Sequence, residues 1–282
     1  AEELNLPVVG SEIVGIVPLE SLLMAADYYI DKESLFIYQE DQKVRLAIER
    51  LGLNSVAPFR PEERIIEYIT REEPDEPLAS MPLRSFIEEV AARTSAPGGG
   101  SVSAALAAMG VGLGSMVAKL THGVRKFEAV QPKMMEVIPT LHRVTQQLIP
   151  MIDADTSAFN EYMEGIRMPK TTEEERKIRQ EKMQQGLKTA INVPLSTMRL
   201  GDSVWDALLV VARYGNPASK SDTQVGARAL EAGIWGAYQN VLINMVDIKD
   251  EAFRQSILKE AESIMERAEK NRREVLDILE DV

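Results

Sequence analysis

The sequence predicts a mainly α-helical protein preceded by a small, incomplete α/β segment. Three observations carry that prediction. From Pro82 onward, Ala, Leu, Met, Gln and Glu recur at helical periods with almost no alternating runs. Residues 1–70 instead hold short β-branched runs punctuated by Gly and Pro. Between them, Arg71-Glu72-Glu73-Pro74-Asp75-Glu76-Pro77 is charged, carries two prolines and offers nothing to a core. The expected organisation is therefore an α/β remnant over 1–70, a linker over 71–81 and a helical domain over 82–282.

Taken in order, Pro7-Val8-Val9-Gly10 and Glu12-Ile13-Val14-Gly15-Ile16-Val17-Pro18 read as strands. Leu19 to Ile30 has apolar residues at helical spacing, and a second helix runs from Gln42 to Leu51, where Gly52 is a good C-cap. Glu63 to Ile69 reads as a closing strand. Two strands and two helices are too little for an independent domain, so this segment reads as the end of a larger one. The helical part breaks near Ala96-Pro97-Gly98-Gly99-Gly100, Met168-Pro169-Lys170 and Gly215-Asn216-Pro217. Ser101 to Ala118 is uncharged and nearly long enough to span a membrane, but it is mostly Ala, Gly, Ser and Val. A soluble core helix is the reading, with Gly110, Gly114 and Ala118 letting another helix approach closely.

Composition narrows the function classes. Of 282 residues 45% are hydrophobic and 27% charged, enough apolar material for a sizeable core. A net charge of −12 argues against sequence-independent nucleic-acid binding, while a local basic pocket for a small anion stays open. There is no cysteine, which excludes disulfides, thiolate metal sites and a Cys nucleophile and fits a reducing, cytoplasmic setting. The acidic start Ala1-Glu2-Glu3 lacks the basic region of a secretory leader. The two histidines, His122 and His142, have neither H-E-x-x-H spacing nor a G-x-S-x-G turn to support them. Both read as solvated helix residues, and no metal site is expected.

Three features stand out as candidates for chemistry. Gly98-Gly99-Gly100-Ser101 frees the backbone just before a helix and presents N–H groups to an oxygen ligand, or else is a plain turn capped by Ser101. Within an expected helix over 144–166, Asp155 falls in the apolar arc of Leu148, Ile152, Phe159, Tyr162 and Ile166. Asp153 points the other way, with Ser157, Asn160 and Glu164. A carboxyl desolvated in that arc gains a raised pKa suited to acid–base work, unless it caps or pairs with a neighbouring element. Finally, Gly215-Asn216-Pro217 leads to Ser221-Asp222 and a helix reaching about Val246. Its Gly226, Gly233, Ala237, Asn240 and Asn244 share one face, forming either a tight helix seam or a pocket floor. Lys170 precedes an acidic first turn, where Thr171 or Thr172 suits a capping box; it either attracts an anionic tail or stays solvated.

These segments, in this order, resemble the formiminotetrahydrofolate cyclodeaminase family. The resemblance is carried by Leu83-Arg84-Ser85-Phe86, Ala96-Pro97-Gly98-Gly99-Gly100-Ser101-Val102, Ile152-Asp153-Ala154-Asp155-Thr156-Ser157-Ala158-Phe159, Met168-Pro169-Lys170, Gly215-Asn216, Ser221-Asp222 and Asn240-Val241-Leu242-Ile243-Asn244, over residues 82–282. Residues 1–70, with Leu6-Pro7-Val8-Val9-Gly10-Ser11-Glu12 and Pro61-Glu62-Glu63-Arg64-Ile65-Ile66-Glu67-Tyr68, resemble the end of a formiminotransferase domain. The resemblance implies an orthogonal helical cyclodeaminase bundle that assembles as oligomers built from dimers. It implies conversion of 5-formiminotetrahydrofolate to 5,10-methenyltetrahydrofolate and ammonia, with tetrahydrofolate as the carrier and no metal. It places the proton acceptor at Asp155. Gly99, Gly100, Ser101, Lys170, Asp222, Asn240 and Asn244 are the expected substrate contacts, Lys170 for the anionic glutamate tail of a folate with one or more glutamates. The transferase half of such enzymes uses an early histidine, and no histidine precedes His122, so transferase activity is not expected of this chain. Two alternatives stand beside this reading: a methenyltetrahydrofolate cyclohydrolase on the same fold, and a non-catalytic folate-binding or oligomerisation module.

Overall fold

The computed structural model describes residues 10–70 and 76–280, and the chain divides into two compact units, 1–75 and 76–282. In the first unit, α1 (Leu19–Glu33) packs on α2 (Glu40–Arg50). Leu22 and Ala26 bury against Val44, Leu46, Ala47, Ile48 and Ile65. Gly52 ends α2 with φ +64, and the Leu53 N–H reaches back to the Ile48 carbonyl at 3.0 Å, as its C-cap role requires.

The expected strands do not form among the described residues. Pro7 to Val9 lie outside them. In Glu12–Pro18 only Val17 pairs, donating to Arg64 O at 2.8 Å and accepting from Ile66 N at 3.0 Å. Val14 and Ile16 are largely exposed. The expected strand Glu63–Ile69 is instead two helical turns, α3 (Pro61–Arg64) and α4 (Ile66–Ile69), joined at an extended Ile65. Pro61 presets a first helical turn, and only Ile65 of the run is fully buried. With a single bridge partner on offer, the backbone satisfies itself locally instead.

The second unit comprises α5 (Leu83–Val90), α6 (Gly99–Thr121), a 3₁₀ turn (Arg125–Val130), α7 (Gln131–Leu148), α8 (Met151–Arg167), α9 (Glu173–Asp202), α10 (Trp205–Tyr214), α11 (Lys220–Asn244) and α12 (Glu251–Glu280). Helix α6 contacts α7, α8, α9, α10 and α11. By length and composition it is apolar enough to cross a membrane, yet 61% of its most apolar window is buried in the bundle. It runs antiparallel to α11, with Gly99 level with Asn240 and Gly110 level with Gly226 and Leu230. Small residues make that approach possible: a Cβ on Gly110 would lie 2.5 Å from Leu230 N. Gly114 faces elsewhere and receives the Leu208 side chain. The acidic start of α9 is the capping box foreseen, Thr172 Oγ1 accepting from Glu175 N at 3.1 Å and the Glu175 carboxylate accepting from Thr172 N at 3.0 Å.

Two boundaries differ from expectation. The helix over 144–166 is divided at Pro150, between the end of α7 at Leu148 and the start of α8 at Met151. Proline lacks the N–H that would continue the ladder, while the apolar spacing runs on through the break. The linker over 71–81 is also not uniform. Residues 71–75 lie outside the described part, but Leu78 is buried against Ala104 and Ile152. The Leu78 and Ala79 N–H groups donate to the two Asp153 carboxylate oxygens at 2.7 and 2.9 Å. Asp153 therefore faces the core side of this segment, not the polar side expected of it. Asp153→Ala should cost about 1–3 kcal/mol, since both buried donors lose an anionic acceptor. A denaturant midpoint unchanged from wild type would show that the contact contributes nothing.

Candidate functional site

The N-terminus of α6 and the second turn of α8 build one polar cluster. Gly98 is the N-cap of α6, so the N–H groups of the following residues point outward without intrahelical partners. Asp155 supplies a partner from α8: its carboxylate accepts from the Ser101 backbone N–H and, at 3.4 Å, from the Ser101 hydroxyl. Ser101 is fully buried; its one hydroxyl proton is shared between that long contact and the Ile152 carbonyl at 2.7 Å, and Thr156 Oγ1 lies 3.2 Å from the hydroxyl. The absence of a side chain at Gly100 is essential here, because a Cβ would overlap the Asp155 carboxylate. On the other flank, Asn240 of α11 stands over Gly99, with Nδ2 3.3 Å from where a Gly99 Cβ would be. That amide also donates to Gly236 O at 2.8 Å.

The electrostatics follow from this placement. Burial pushes the Asp155 carboxyl above the usual carboxylate range, and the Ser101 N–H and hydroxyl pull only partly against it. A carboxyl so poised can take a proton from a nitrogen nucleophile and return it to a leaving amine. The histidines do not join it. His122 caps the far end of α6, and His142, whose pKa is lowered by burial and then by nearby Lys119, lies towards that same end. Among the described residues no three His, Asp or Glu side chains stand close enough to hold a metal ion together.

Gly99, Gly100, Ser101, Asp155 and Asn240 are thus brought together, and three other expected residues are not. Asn244 donates to Ala190 O at 3.0 Å and braces α11 on α9. Lys170 opens a separate cleft of about 530 Å³ with Arg176, Arg179 and Lys249, where four cationic side chains face a single carboxylate, that of Asp247. Arg176 and Arg179 are partly occupied there by the carbonyls of Lys170, Thr171 and Ile166. Asp222, eighteen residues before Asn240 on α11, is about 27 Å away along the helix, so it cannot line this cluster within one chain. Sequence reasoning missed Thr156 and the cations Arg176, Arg179 and Lys249. Thr156, a hydroxyl beside Asp155, carried a readable signal; Lys249 carried none, since only the fold brings it near Lys170.

Comparisons with known proteins show the family of the chain. Residues 82–263 match the family model described as formiminotransferase-cyclodeaminase, and residues 1–71 match the formiminotransferase domain. The chain is 53% identical to the formimidoyltransferase-cyclodeaminase of Dictyostelium discoideum, over 99% of this chain and 51% of that protein. For the Gallus gallus protein of the same name the identity is 47%, over 99% of this chain and 52% of the relative. The chain therefore spans about half the length of these relatives. A methenyltetrahydrofolate cyclohydrolase from Methylorubrum extorquens is 36% identical over 66% of this chain and 89% of its own length. Among solved structures, the formiminotetrahydrofolate cyclodeaminase of Thermotoga maritima superposes with a TM-score of 0.64 at 30% identity, covering 72% of this chain and 97% of that one. With its family model matched over most of the helical unit and its N-terminal unit matching the transferase domain, the chain belongs to the formiminotransferase-cyclodeaminase family.

Proposed function

We propose that this chain is a formiminotetrahydrofolate cyclodeaminase, converting 5-formiminotetrahydrofolate to 5,10-methenyltetrahydrofolate and ammonia. The observation that carries this reading is the half-buried Asp155 carboxylate, its pKa raised, seated on the α6 N-terminus by Ser101. N10 attacks the formimino carbon, and Asp155 accepts the proton that N10 loses as the five-membered ring closes. Asp155 then returns a proton to the exocyclic nitrogen, whose bond to carbon breaks as ammonia departs, leaving the methenyl cation. The charged carboxylate also faces the cationic amidinium states on either side of the aminal. Gly99, Gly100 and Asn240 frame the space in front of it.

Lys170 and its cationic cleft are assigned to the glutamate tail. Fifteen residues separate Asp155 from Lys170, roughly 20 Å along α8 and beyond, a span suited to a polyglutamyl tail rather than to the reacting end. Tetrahydrofolate is the carrier of the transferred carbon. An oligomer of dimers, a transferase domain in the longer parent protein and a cytoplasmic setting belong to the same reading.

A second reading has a specific observation behind it: the 36% identical relative is named a cyclohydrolase, in which water attacks the methenyl carbon. The match that continues through residues 1–71 to the transferase domain favours the deaminase. Supplying the chain with the formimino and the methenyl substrates separately distinguishes them. The deaminase reading expects fast loss of the formimino group and methenyl decay no faster than in buffer. Rapid methenyl hydrolysis without formimino turnover would reverse the assignment. Gly100→Ala should lower formimino turnover by about 10- to 100-fold with little change in melting temperature, because the new methyl displaces the Asp155 carboxylate. Full activity in that variant would show that the carboxylate position does not matter.

A further inference from the structure

Thr156 departs from the pattern of other helical threonines in this chain. Thr121, Thr145 and Thr223 each donate to the carbonyl four residues back, at 2.7, 2.8 and 3.4 Å. The carbonyl four residues before Thr156 belongs to Ile152, and the Ser101 hydroxyl of α6 holds it from across the helix pair at 2.7 Å. Thr156 Oγ1 stands instead 3.2 Å from Ser101 Oγ, which is itself 3.4 Å from Asp155 Oδ2. One hydroxyl closed to solvent thus sits between a second hydroxyl, a carbonyl and the Asp155 carboxyl. Buried there, Ser101 reaches Asp155 and not substrate.

Charge is absent from the stretches packed around that carboxyl. Residues 99–118 of α6 carry none, and residues 144–160 of α7 and α8 hold only Asp153 beside Asp155. Asp153 is turned to Leu78 and Ala79. Helix α8 packs on α9 with Tyr162 against Gly186, which sets the uncharged residues 189–198 level with Asp155. On α11, residues 232–246 have Tyr238 as their one titratable group, and it lies near Glu262 of α12. Arg84 and Arg93, before α6, are exposed. Hydrogen bonds are therefore what can tell the two protonation states of Asp155 apart. We propose that Ser101 and Thr156 form a hydroxyl switch beside Asp155. With the carboxylate charged, Thr156 donates to Ser101 and Ser101 donates to Asp155 Oδ2, each bond strengthening the next. With Asp155 protonated, the Ser101 proton turns back to the Ile152 carbonyl, and Ser101 Oγ accepts from the acid instead. The hydroxyls only rotate; the transferred proton stays on Asp155. No donor is left without an acceptor in either state, so the base recovers its charge after each ammonia departs. Both are positioning residues, acting through Asp155. The rate readout below rests on the cyclodeaminase reading; the titration readout does not.

The test follows Asp155 by nuclear magnetic resonance in chain isotopically labelled at the aspartate carboxyl carbons, its signal identified by its loss in Asp155→Asn. The bond to the charged form is the stronger of the two, so Ser101→Ala should move the titration up by about one pH unit, about a tenfold loss of carboxylate on the acid side. Thr156→Val, of the same shape at a half-buried position, should move it the same way by less, and Thr156→Ser should restore it. Added to Ser101→Ala, Thr156→Val should move it no further, since Thr156 acts through the missing hydroxyl. The acid limb of kcat/KM for 5-formiminotetrahydrofolate should follow the titration in each variant. An Asp155 titration unmoved by Ser101→Ala overturns the proposal. So does a Thr156→Val effect that is equal with and without the Ser101 hydroxyl, or a rate that falls by one factor at every pH, as a packing defect gives. Chains whose titrations move as expected but which turn over no formimino substrate would strike the proposed function and leave the switch standing.

Discussion

Asp155→Asn should retain the fold and lose turnover of 5-formiminotetrahydrofolate by about 10²- to 10⁴-fold, the span that a positioned acid–base group supplies. Asparagine keeps the shape and can still accept from the Ser101 N–H, but it cannot cycle a proton. The same substitution should raise the melting temperature near pH 7. Burial holds the Asp155 carboxyl above its ordinary range, so folding favours the protonated form. What the group contributes to stability is complete below the ordinary carboxylate pKa of about 4 and is lost as pH rises through the raised value. Asparagine never ionises, so its advantage over wild type should be present at pH 7 and vanish towards pH 4. A variant that melts lower than wild type at pH 7 would make Asp155 a structural prop of α6 instead.

Gly233→Leu should be the most damaging single change to the fold. A Cβ at Gly233 would stand 2.6 Å from both Ala107 N and Ser103 O, which are backbone atoms of α6 that cannot rotate aside. The α6–α11 seam must open along its length, at a cost of about 3 kcal/mol or more. Because α6 also sets the position of Gly99 to Ser101, residual folded protein should lose activity as well. Denaturant midpoints check the first effect and turnover per folded molecule the second. Gly112→Ala is the counterpart: nothing lies within 4 Å of that Cβ, and the helix should gain about 0.5–1 kcal/mol. Equal midpoints for the two variants would deny that close packing at this seam holds the unit together.

What the sequence made legible was what a single helix decides for itself. The arc of α8 identified Asp155 as desolvated, because Ile152 and its neighbours set that face by their own spacing. The same arc misplaced Asp153, whose surroundings come from Leu78 and Ala79, more than seventy residues away. Asn240 and Asn244 share a face at i and i+4, yet one reaches Gly99 and the other a carbonyl of α9, a difference only packing decides. Lys170 and Asp222 belong to the same ordered motifs as Asp155, but helices of 17 and 25 residues carry them roughly 20–30 Å from the cluster. The strand expected at Glu63–Ile69 failed for a related reason. A β-branched run needs a neighbour to pair with, and Val17 offers one bridge.

The central claim is that this chain closes the folate ring and releases the formimino nitrogen as ammonia. One sample of wild-type chain with 5-formiminotetrahydrofolate, followed for methenyl absorbance and ammonia together, tests it most directly. The account predicts equimolar methenyl product and ammonia rising at the same rate. Ammonia released without methenyl accumulation, or no release of either beyond the uncatalysed rate, would contradict it.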